Sequence, residues 1–164
     1  LCLGPLDDKP VEDHDLTRPD RFFYYSPVVG PLSPVSPPAE LWVDDDGALV
    51  GKVVVPTTLA GPPWDFVHGG VIAEIFDELL GTVGAIGAPG GVTAQLTVRY
   101  HKPTPINAEL RLRGWVESTE GRKTTARGEM WHGETMTASA EGLFISMGAF
   151  MADHPAIEVP VSSP

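Results

Sequence analysis

The feature that most constrains the fold is a set of apolar side chains at helical spacing between residues 70 and 86. At 100° per residue these side chains share one face, which predicts a long helix packed against a sheet. That face comprises Ile72, Ile75, Phe76, Leu79, Val83 and Ile86. Roughly opposite lies a second set, with Asp77 at its centre and Gly70, Ala73, Gly81 and Gly84 around it.

The small residues around Asp77 are unfavourable for an isolated helix. Glycine inside a helix costs about 1 kcal/mol relative to alanine, and aspartate is itself a weak helix former. The pattern therefore indicates that a ligand or a second backbone comes close to Asp77, and we expect a chemical role for this carboxylate. Glu74 and Glu78 belong to a neighbouring polar stripe and are expected to be solvated.

The rest of the central region is typical of antiparallel strands. Two apolar runs flank the turn residues 44–47 and predict a hairpin. Residues 93–101 alternate, and three more strand candidates span residues 108–118, 122–132 and 135–147. In the alternating segment one face carries Ala94, Leu96, Val98 and Tyr100, and the other carries Thr93, Gln95, Thr97, Arg99 and His101. A hairpin, a helix and then strands define an α+β fold with the helix packed on one sheet.

The chain length of 164 residues fits one domain. Residues 1–40 contain eight of the 17 prolines and an acidic run, so we expect an irregular arm anchored by the aromatic residues 22–25. The domain proper is expected over residues 41–150, and residues 151–164 are expected to form an irregular tail.

Charge and composition exclude several classes of partner. The net charge of −11 argues against nucleic acid or an anionic membrane surface, because phosphate binding requires a cationic surface. A single cysteine, Cys2, does not permit an intramolecular disulfide, and no apolar run reaches the length of a membrane span. We expect a cytoplasmic protein. The histidines show no paired ligand spacing, so no metal site is expected.

The start of the predicted helix is the second candidate for chemistry. His68, Gly69 and Gly70 form a turn whose first backbone N–H groups have no helical partner and little steric cover. Such N–H groups polarise a carbonyl oxygen and stabilise the oxyanion formed from it. His68 either holds this turn through hydrogen bonds or transfers a proton.

The distance between these two candidates indicates how a site is assembled. Gly69 and Asp77 are eight residues apart, which is about 12 Å along a helix and too far for both to act on one carbonyl carbon. If both belong to one site, Asp77 comes from a second copy of the chain. Antiparallel helices across a two-fold axis give two equal sites, so we expect a homodimer or a dimer of dimers with its sites at the subunit interface.

Several motifs together resemble a known family. The sequence HGGVIAEIFDELLG is similar to the hotdog-fold acyl-CoA thioesterases of the PaaI-like branch of the hydroxybenzoyl-CoA thioesterase superfamily. The segments GPPWDFVHGG, TAQLTVRYHKPTP, ESTEGRK and AEGLFISM resemble more closely the thioesterase superfamily members that hydrolyse long-chain acyl-CoA. The resemblance spans about residues 41 to 148.

The resemblance implies a fold and a set of roles. It implies a long central helix wrapped by an antiparallel sheet, an assembly of dimers or tetramers, and neither a metal nor another cofactor. Asp77 would be the base or nucleophile, Gly69 would supply the oxyanion-binding N–H, and His68 would belong to the same turn. Thr93 would place a hydroxyl that orients water or the aspartate. One branch of the family has an asparagine six positions before the histidine, and this chain has Pro62 there. We therefore expect no side-chain amide at this position to assist the attacking water.

An acyl-CoA substrate also requires cations for its phosphate groups. The candidates are Arg122 and Lys123 in one segment and Arg99 and Lys102 in another, although each is also typical of solvated surface charge. The expected function is hydrolysis of an acyl-CoA thioester. The alternatives are an acyl-CoA binding module without catalysis and a hydratase of the same fold, which would require a paired aspartate and histidine on the helix.

Overall fold

A six-stranded antiparallel sheet wraps around a long helix in the computed structural model, which describes Ser26, Val28, residues 38–87 and residues 91–146. The elements are β1 (Glu40–Val43), β2 (Leu49–Val54), β3 (Ala60–Gly61), β4 (Phe66–Val67), α1 (Gly69–Gly87), β5 (Gly91–Tyr100), β6 (Glu109–Glu120), β7 (Lys123–His132) and β8 (Thr135–Ser146). The strand order of the large sheet is β1-β2-β6-β7-β8-β5, and β3 pairs with β4 separately. The α+β prediction, with one sheet around a central helix, is confirmed.

Helix α1 forms where the apolar periodicity predicted it, with one extra residue at each end. Its apolar face is the centre of the core: Phe76 is fully buried, and Ile72, Ile75, Leu79 and Val83 are at most 4% exposed. These side chains pack with buried residues of β2, β6, β7 and β8, including Val53, Leu110, Met130 and Phe144. Burial of apolar area on this scale is the main stabilising term of such a domain.

The predicted hairpin joins β1 and β2, with Val43 opposite Leu49. Gly47 occupies the turn at φ +80°, a conformation that glycine adopts without strain. The Asp44 carboxylate accepts hydrogen bonds from the backbone N–H groups of Asp46 and Ala48 and pairs with Arg113 at 3.0 Å. Asp44 therefore stabilises the turn.

The four predicted strands after the helix are confirmed as β5 to β8, but the alternation of β5 is interrupted. Thr93 pairs with Phe144 and Gln95 pairs with Leu143, so Ala94 is an extra residue in a β-bulge. Phe144 is buried against the helix. The bulge therefore places Thr93 on the helix side of β5, on the same face as Leu96 and Val98, and the strict alternation that put it on the opposite face is wrong.

The small residues of α1 do not form one open stripe. A side chain at Gly81 would meet Phe144 at 3.5 Å, and one at Gly84 would meet Thr124 at 3.9 Å. Both glycines therefore lie against the chain's own sheet, which curves around the C-terminal half of the helix. The open part of the predicted set is its N-terminal half, around Gly70, Ala73 and Asp77.

Parts of the predicted arm contact the domain. Val28 is 2% exposed and belongs to the core, and Ser26 contacts the helix. The aromatic residues 22–25 and the predicted tail at residues 151–164 lie outside the described residues. In the part of the chain that the structure describes, no helix is long and apolar enough to cross a membrane.

Candidate active site

The N-terminus of α1 is held in place by the small hairpin before it. The His68 N–H donates to the Leu59 carbonyl at 3.0 Å, and Gly61 lies directly beneath His68, where a side chain would come within 3.0 Å of its Cα atom. The His68 carbonyl accepts from the N–H groups of Val71 and Ile72 at 3.0 and 3.2 Å. His68 is therefore the N-cap residue of the helix.

The His68 ring also completes the cap. Its Nδ1 atom accepts a hydrogen bond from the Gly70 N–H at 3.0 Å. Since a backbone N–H only donates, Nδ1 carries a lone pair in this arrangement, and a neutral ring has its proton on Nε2. The His68 residue is exposed. A larger residue at position 70 would place its Cβ atom 3.1 Å from Nδ1, which explains the second glycine.

These contacts leave the Gly69 N–H available. Among the residues that the structure describes, no hydrogen-bond acceptor is recorded for it, whereas the Gly70 N–H is bound by His68. Gly69 is the first residue of the helix, so its N–H lies at the positive end of the helix dipole. The geometry suits an anion or a polarised carbonyl oxygen.

Asp77 lies two turns along the same helix with its side chain exposed. Its Oδ1 atom accepts a hydrogen bond from the Thr93 hydroxyl at 2.8 Å. The contact depends on the β5 bulge, which places Thr93 on the helix side of the sheet. The structure thus brings two of the predicted site residues together and fixes the orientation of one carboxylate oxygen.

Glu78 differs from its sequence-based description. Its carboxyl is partly buried and accepts a 2.6 Å hydrogen bond from the Ser26 hydroxyl, so the prediction that it is solvated is wrong. Burial raises the pKa of Glu78 above its ordinary value of 4.5, the negative charges of Asp77 and Glu74 raise it further, and the bond from Ser26 opposes these effects. Ser26 is distant in sequence, and the helical pattern carried no signal for it.

Tyr100 is a site neighbour that the motifs did not indicate. Its hydroxyl donates to the Gly69 carbonyl at 2.8 Å, and its ring lies where a Gly69 side chain would make contact at 3.4 to 3.6 Å. The alternation of β5 already placed Tyr100 on one face with Leu96 and Val98. Its face was therefore predictable, but its partner on the helix was not.

The four candidate phosphate-binding cations fall into two groups. Lys123 pairs with Ile145, and Arg99 pairs with Ser139. Both of these partners belong to β8, where they are six residues, or about 20 Å, apart. Arg122 lies beside Lys123 and donates through Nε to the Ser146 carbonyl at 3.0 Å. Lys102 follows the end of β5. One chain does not bring all four together.

Each group of cations lies near one of the two candidate catalytic groups. Lys123 is next to Thr124, which pairs with Phe144, and Phe144 also pairs with Thr93. Because Thr93 bonds to Asp77, Arg122 and Lys123 are at the Asp77 end. Arg99 and Lys102 flank Tyr100, which contacts Gly69. Among the described residues, no group of three or more His, Cys, Asp or Glu side chains is arranged to hold a metal ion.

A long helix wrapped by one antiparallel sheet, with a His-Gly-Gly turn at the helix start, defines a hotdog-fold domain. Residues 65–139 match the family model of the thioesterase superfamily. A solved thioesterase superfamily protein is 41% identical, with a TM-score of 0.71, and the match covers 74% of this chain and 60% of that chain. Residues 65–139 are therefore similar to the thioesterase superfamily, and the described domain shares the fold of a solved member.

Two further relatives extend the comparison. The acyl-coenzyme A thioesterase THEM4 of Xenopus laevis is 40% identical over 92 residues, which are 54% of this chain and 40% of that relative. This chain therefore spans less than half of the curated relative's length. A Streptococcus mutans protein solved with acetyl-CoA has a TM-score of 0.60 at 18% identity, covering 65% of this chain and 87% of its own, and shares the fold.

Proposed function

We propose that this protein hydrolyses an acyl-CoA thioester to a free acid and CoA. The observation that carries the proposal is a carboxylate, Asp77, held by the Thr93 hydroxyl on the same helix that begins with the available Gly69 N–H. The THEM4 relative is an acyl-coenzyme A thioesterase, and its 40% identity over 92 residues supports the same substrate class.

In the proposed reaction the thioester carbonyl oxygen binds at the Gly69 N–H. Asp77 accepts a proton from water as the water oxygen bonds to the carbonyl carbon, and the resulting oxyanion is stabilised at the helix N-terminus. The carbonyl then re-forms, the carbon–sulfur bond breaks, and the proton on Asp77 passes to the departing thiolate. In the alternative route, Asp77 attacks the carbon itself, the thiolate leaves, and water hydrolyses the mixed anhydride.

His68 has a supporting role in this proposal. Because its Nδ1 accepts from Gly70, the neutral ring presents Nε2–H as a hydrogen-bond donor. Giving up that proton would leave an unstable imidazolate, so His68 does not act as the acid that protonates the thiolate. Its function is to hold the turn and to add a donor beside the Gly69 N–H.

We propose that each site is shared between two copies of the chain. Gly69 and Asp77 are about 12 Å apart on one helix, so neither chain alone brings both to one carbon. The open N-terminal half of the small-residue set leaves room for a second helix. In such a pair, Arg122 and Lys123 of one chain and Arg99 and Lys102 of its partner would flank the same site, which would supply four cations for the CoA phosphates.

The test is hydrolysis of a panel of acyl-CoA thioesters of different chain length, with release of free thiol as the readout. Asp77→Asn is expected to lower kcat at least about 100-fold, since the base or nucleophile is lost. Asp45→Asn, at an exposed position of the β1–β2 turn, is the matched control and should retain wild-type activity. Wild-type turnover in Asp77→Asn would reject the assignment. Tight acyl-CoA binding with no hydrolysis by the wild-type protein would favour the non-catalytic binding module.

A further inference from the structure

Strand β5 makes a side-chain contact with each of the two candidate catalytic groups. At its beginning the Thr93 hydroxyl bonds to Asp77, and at its end the Tyr100 hydroxyl bonds to the Gly69 carbonyl, both at 2.8 Å. Thr93 is already a candidate for positioning Asp77. The contact at the other end concerns the helix start and has no assigned role.

Several observations separate the Tyr100 contact from ordinary core packing. Tyr100 is 53% exposed, so its hydroxyl has access to water and does not need a protein acceptor to avoid burial. It nevertheless bonds to Gly69, and its ring covers the position that a Gly69 side chain would fill. Removing that hydroxyl therefore leaves no buried polar atom unpaired, and its cost to stability is small.

The helix start requires such a contact because of its sequence. Gly69 and Gly70 lack Cβ atoms, and glycine has access to backbone conformations that other residues avoid. An oxyanion-binding N–H is effective only when its direction is fixed before the charge develops. The Gly69 carbonyl and the Gly70 N–H belong to one peptide group, which the His68 ring holds at the N–H and the Tyr100 hydroxyl holds at the carbonyl. The Tyr100 ring also contacts Gly69 itself.

We infer that Tyr100 is a positioning residue. Its hydroxyl holds the peptide group made of the Gly69 carbonyl and the Gly70 N–H, and its ring contacts Gly69, so that together they restrict rotation of the Gly69 backbone and keep the oxyanion-binding Gly69 N–H in one direction. The inference rests on the proposed function for its catalytic consequence. Tyr100 acts through Gly69 and not on the reacting atoms, so its loss weakens stabilisation of the transition state and leaves ground-state binding of the substrate nearly unchanged.

The experiment compares Tyr100→Phe with Thr97→Val. Both changes remove one hydroxyl from exposed positions of β5, but Thr97 is bonded to Gln95 of the same strand and not to the helix. Tyr100→Phe is expected to lower kcat about tenfold, less than the loss of a whole oxyanion donor, with KM within about twofold of wild type. Its melting temperature should stay close to that of wild type, and Thr97→Val should match wild type in every respect.

Amide hydrogen exchange, read by NMR, provides a measurement that is independent of activity. In Tyr100→Phe the exchange of the Gly70 amide, which is bonded to His68 and shares a peptide group with the Gly69 carbonyl, should accelerate, while the amides in the middle of β5 stay unchanged. Unchanged kcat in Tyr100→Phe, with Asp77→Asn inactive, would overturn the inference and leave the proposed function standing. If the wild-type protein hydrolyses no thioester, the proposed function fails, and unchanged exchange of the Gly70 amide in Tyr100→Phe would then overturn the positioning role as well.

Discussion

Thr93 donates a 2.8 Å hydrogen bond to Asp77 although the simple alternation of β5 places it on the other face of the sheet. Ala94 is an extra residue in the bulge. Thr93, which precedes it, therefore lies on the opposite face of the sheet from the one that strict alternation predicts. Bulges are common next to active sites, where they redirect a side chain. The candidate site thus depends on an irregularity of one strand.

Replacing Thr93 with valine keeps the shape of the side chain and removes its hydroxyl. Because hydrogen bonds to charged groups contribute about 1.5–3 kcal/mol, we expect kcat to fall about 10- to 100-fold. Steady-state kinetics on the best acyl-CoA substrate measure the effect. Thr93→Ser retains the hydroxyl and should stay within about threefold of wild type. Equal losses in both variants would show that the methyl group, and not the hydrogen bond, is what matters.

Mixing two inactive variants tests whether the site is shared. Gly69→Pro removes the oxyanion-binding N–H, and Asp77→Asn removes the carboxylate, so each homodimer should be nearly inactive. In a heterodimer one site carries both lesions and the other carries neither, so activity should recover to about half of wild type per heterodimer. The measurement is thiol release after subunit exchange.

The control for that experiment is the fold of Gly69→Pro. Proline is favoured at the first position of a helix, and an N-cap residue typically has the extended backbone that a following proline requires, so the variant is expected to fold. Circular dichroism and melting temperature establish this, and mass spectrometry establishes the heterodimer. Absence of recovery under these conditions would place the whole site in one chain.

Glu78→Gln should change how stability depends on pH. The pKa of Glu78 is raised on folding, so the folded state holds its proton more tightly than the unfolded state, and stability falls as pH rises from 4.5 through the folded pKa. Glutamine does not titrate and keeps an oxygen that accepts from Ser26. The melting temperature of Glu78→Gln relative to wild type should therefore increase between pH 4 and pH 7.

Thermal unfolding at several pH values across that range tests this prediction. Glu120→Gln, a matched change at an exposed glutamate at the end of β6, provides the comparison. A constant difference from wild type for Glu78→Gln would mean that its partly buried carboxyl does not influence folding through its proton.

The double variant Arg122→Ala, Lys123→Ala should raise KM for acyl-CoA more than it lowers kcat. Contacts to the CoA phosphates are similar in the ground state and the transition state, so their loss weakens binding uniformly. A short thioester without the nucleotide should be insensitive to the change. Arg127→Ala, which removes an exposed arginine paired with Glu141, is the control. Equal effects on both substrates would assign the two cations a structural role.

Local patterns in the sequence predicted most of the architecture. The helix was predictable because Ile72, Ile75, Phe76 and Leu79 repeat with its period, and the strands were predictable from alternation and from turn residues such as Gly47 and Gly121. The same patterns pointed to Asp77 and to the His68–Gly70 turn, whose unusual residue types stand out within a good helix.

Contacts between residues distant in sequence could not be predicted in this way. Glu78 is partly buried because Ser26, 52 residues earlier, lies against it. Gly81 and Gly84 face the sheet because β7 and β8 curve around the helix, which depends on how all six strands pair. The Ala94 bulge and the Tyr100 contact depend in the same way on strand pairing and on how the sheet packs against α1, and the residues nearby in sequence do not determine either.

The position of β5 at the edge of the sheet also has a consequence for the single chain. In the described part of the protein the outer side of β5 has no neighbouring strand, and its Val92 and Tyr100 side chains are 54% and 53% exposed. A long edge with apolar side chains is a template for uncontrolled strand addition. Folded single chains, which predominate at low concentration, leave this edge uncovered and are therefore the species most prone to aggregation. An assembly that covers the edge would protect the protein from precipitation.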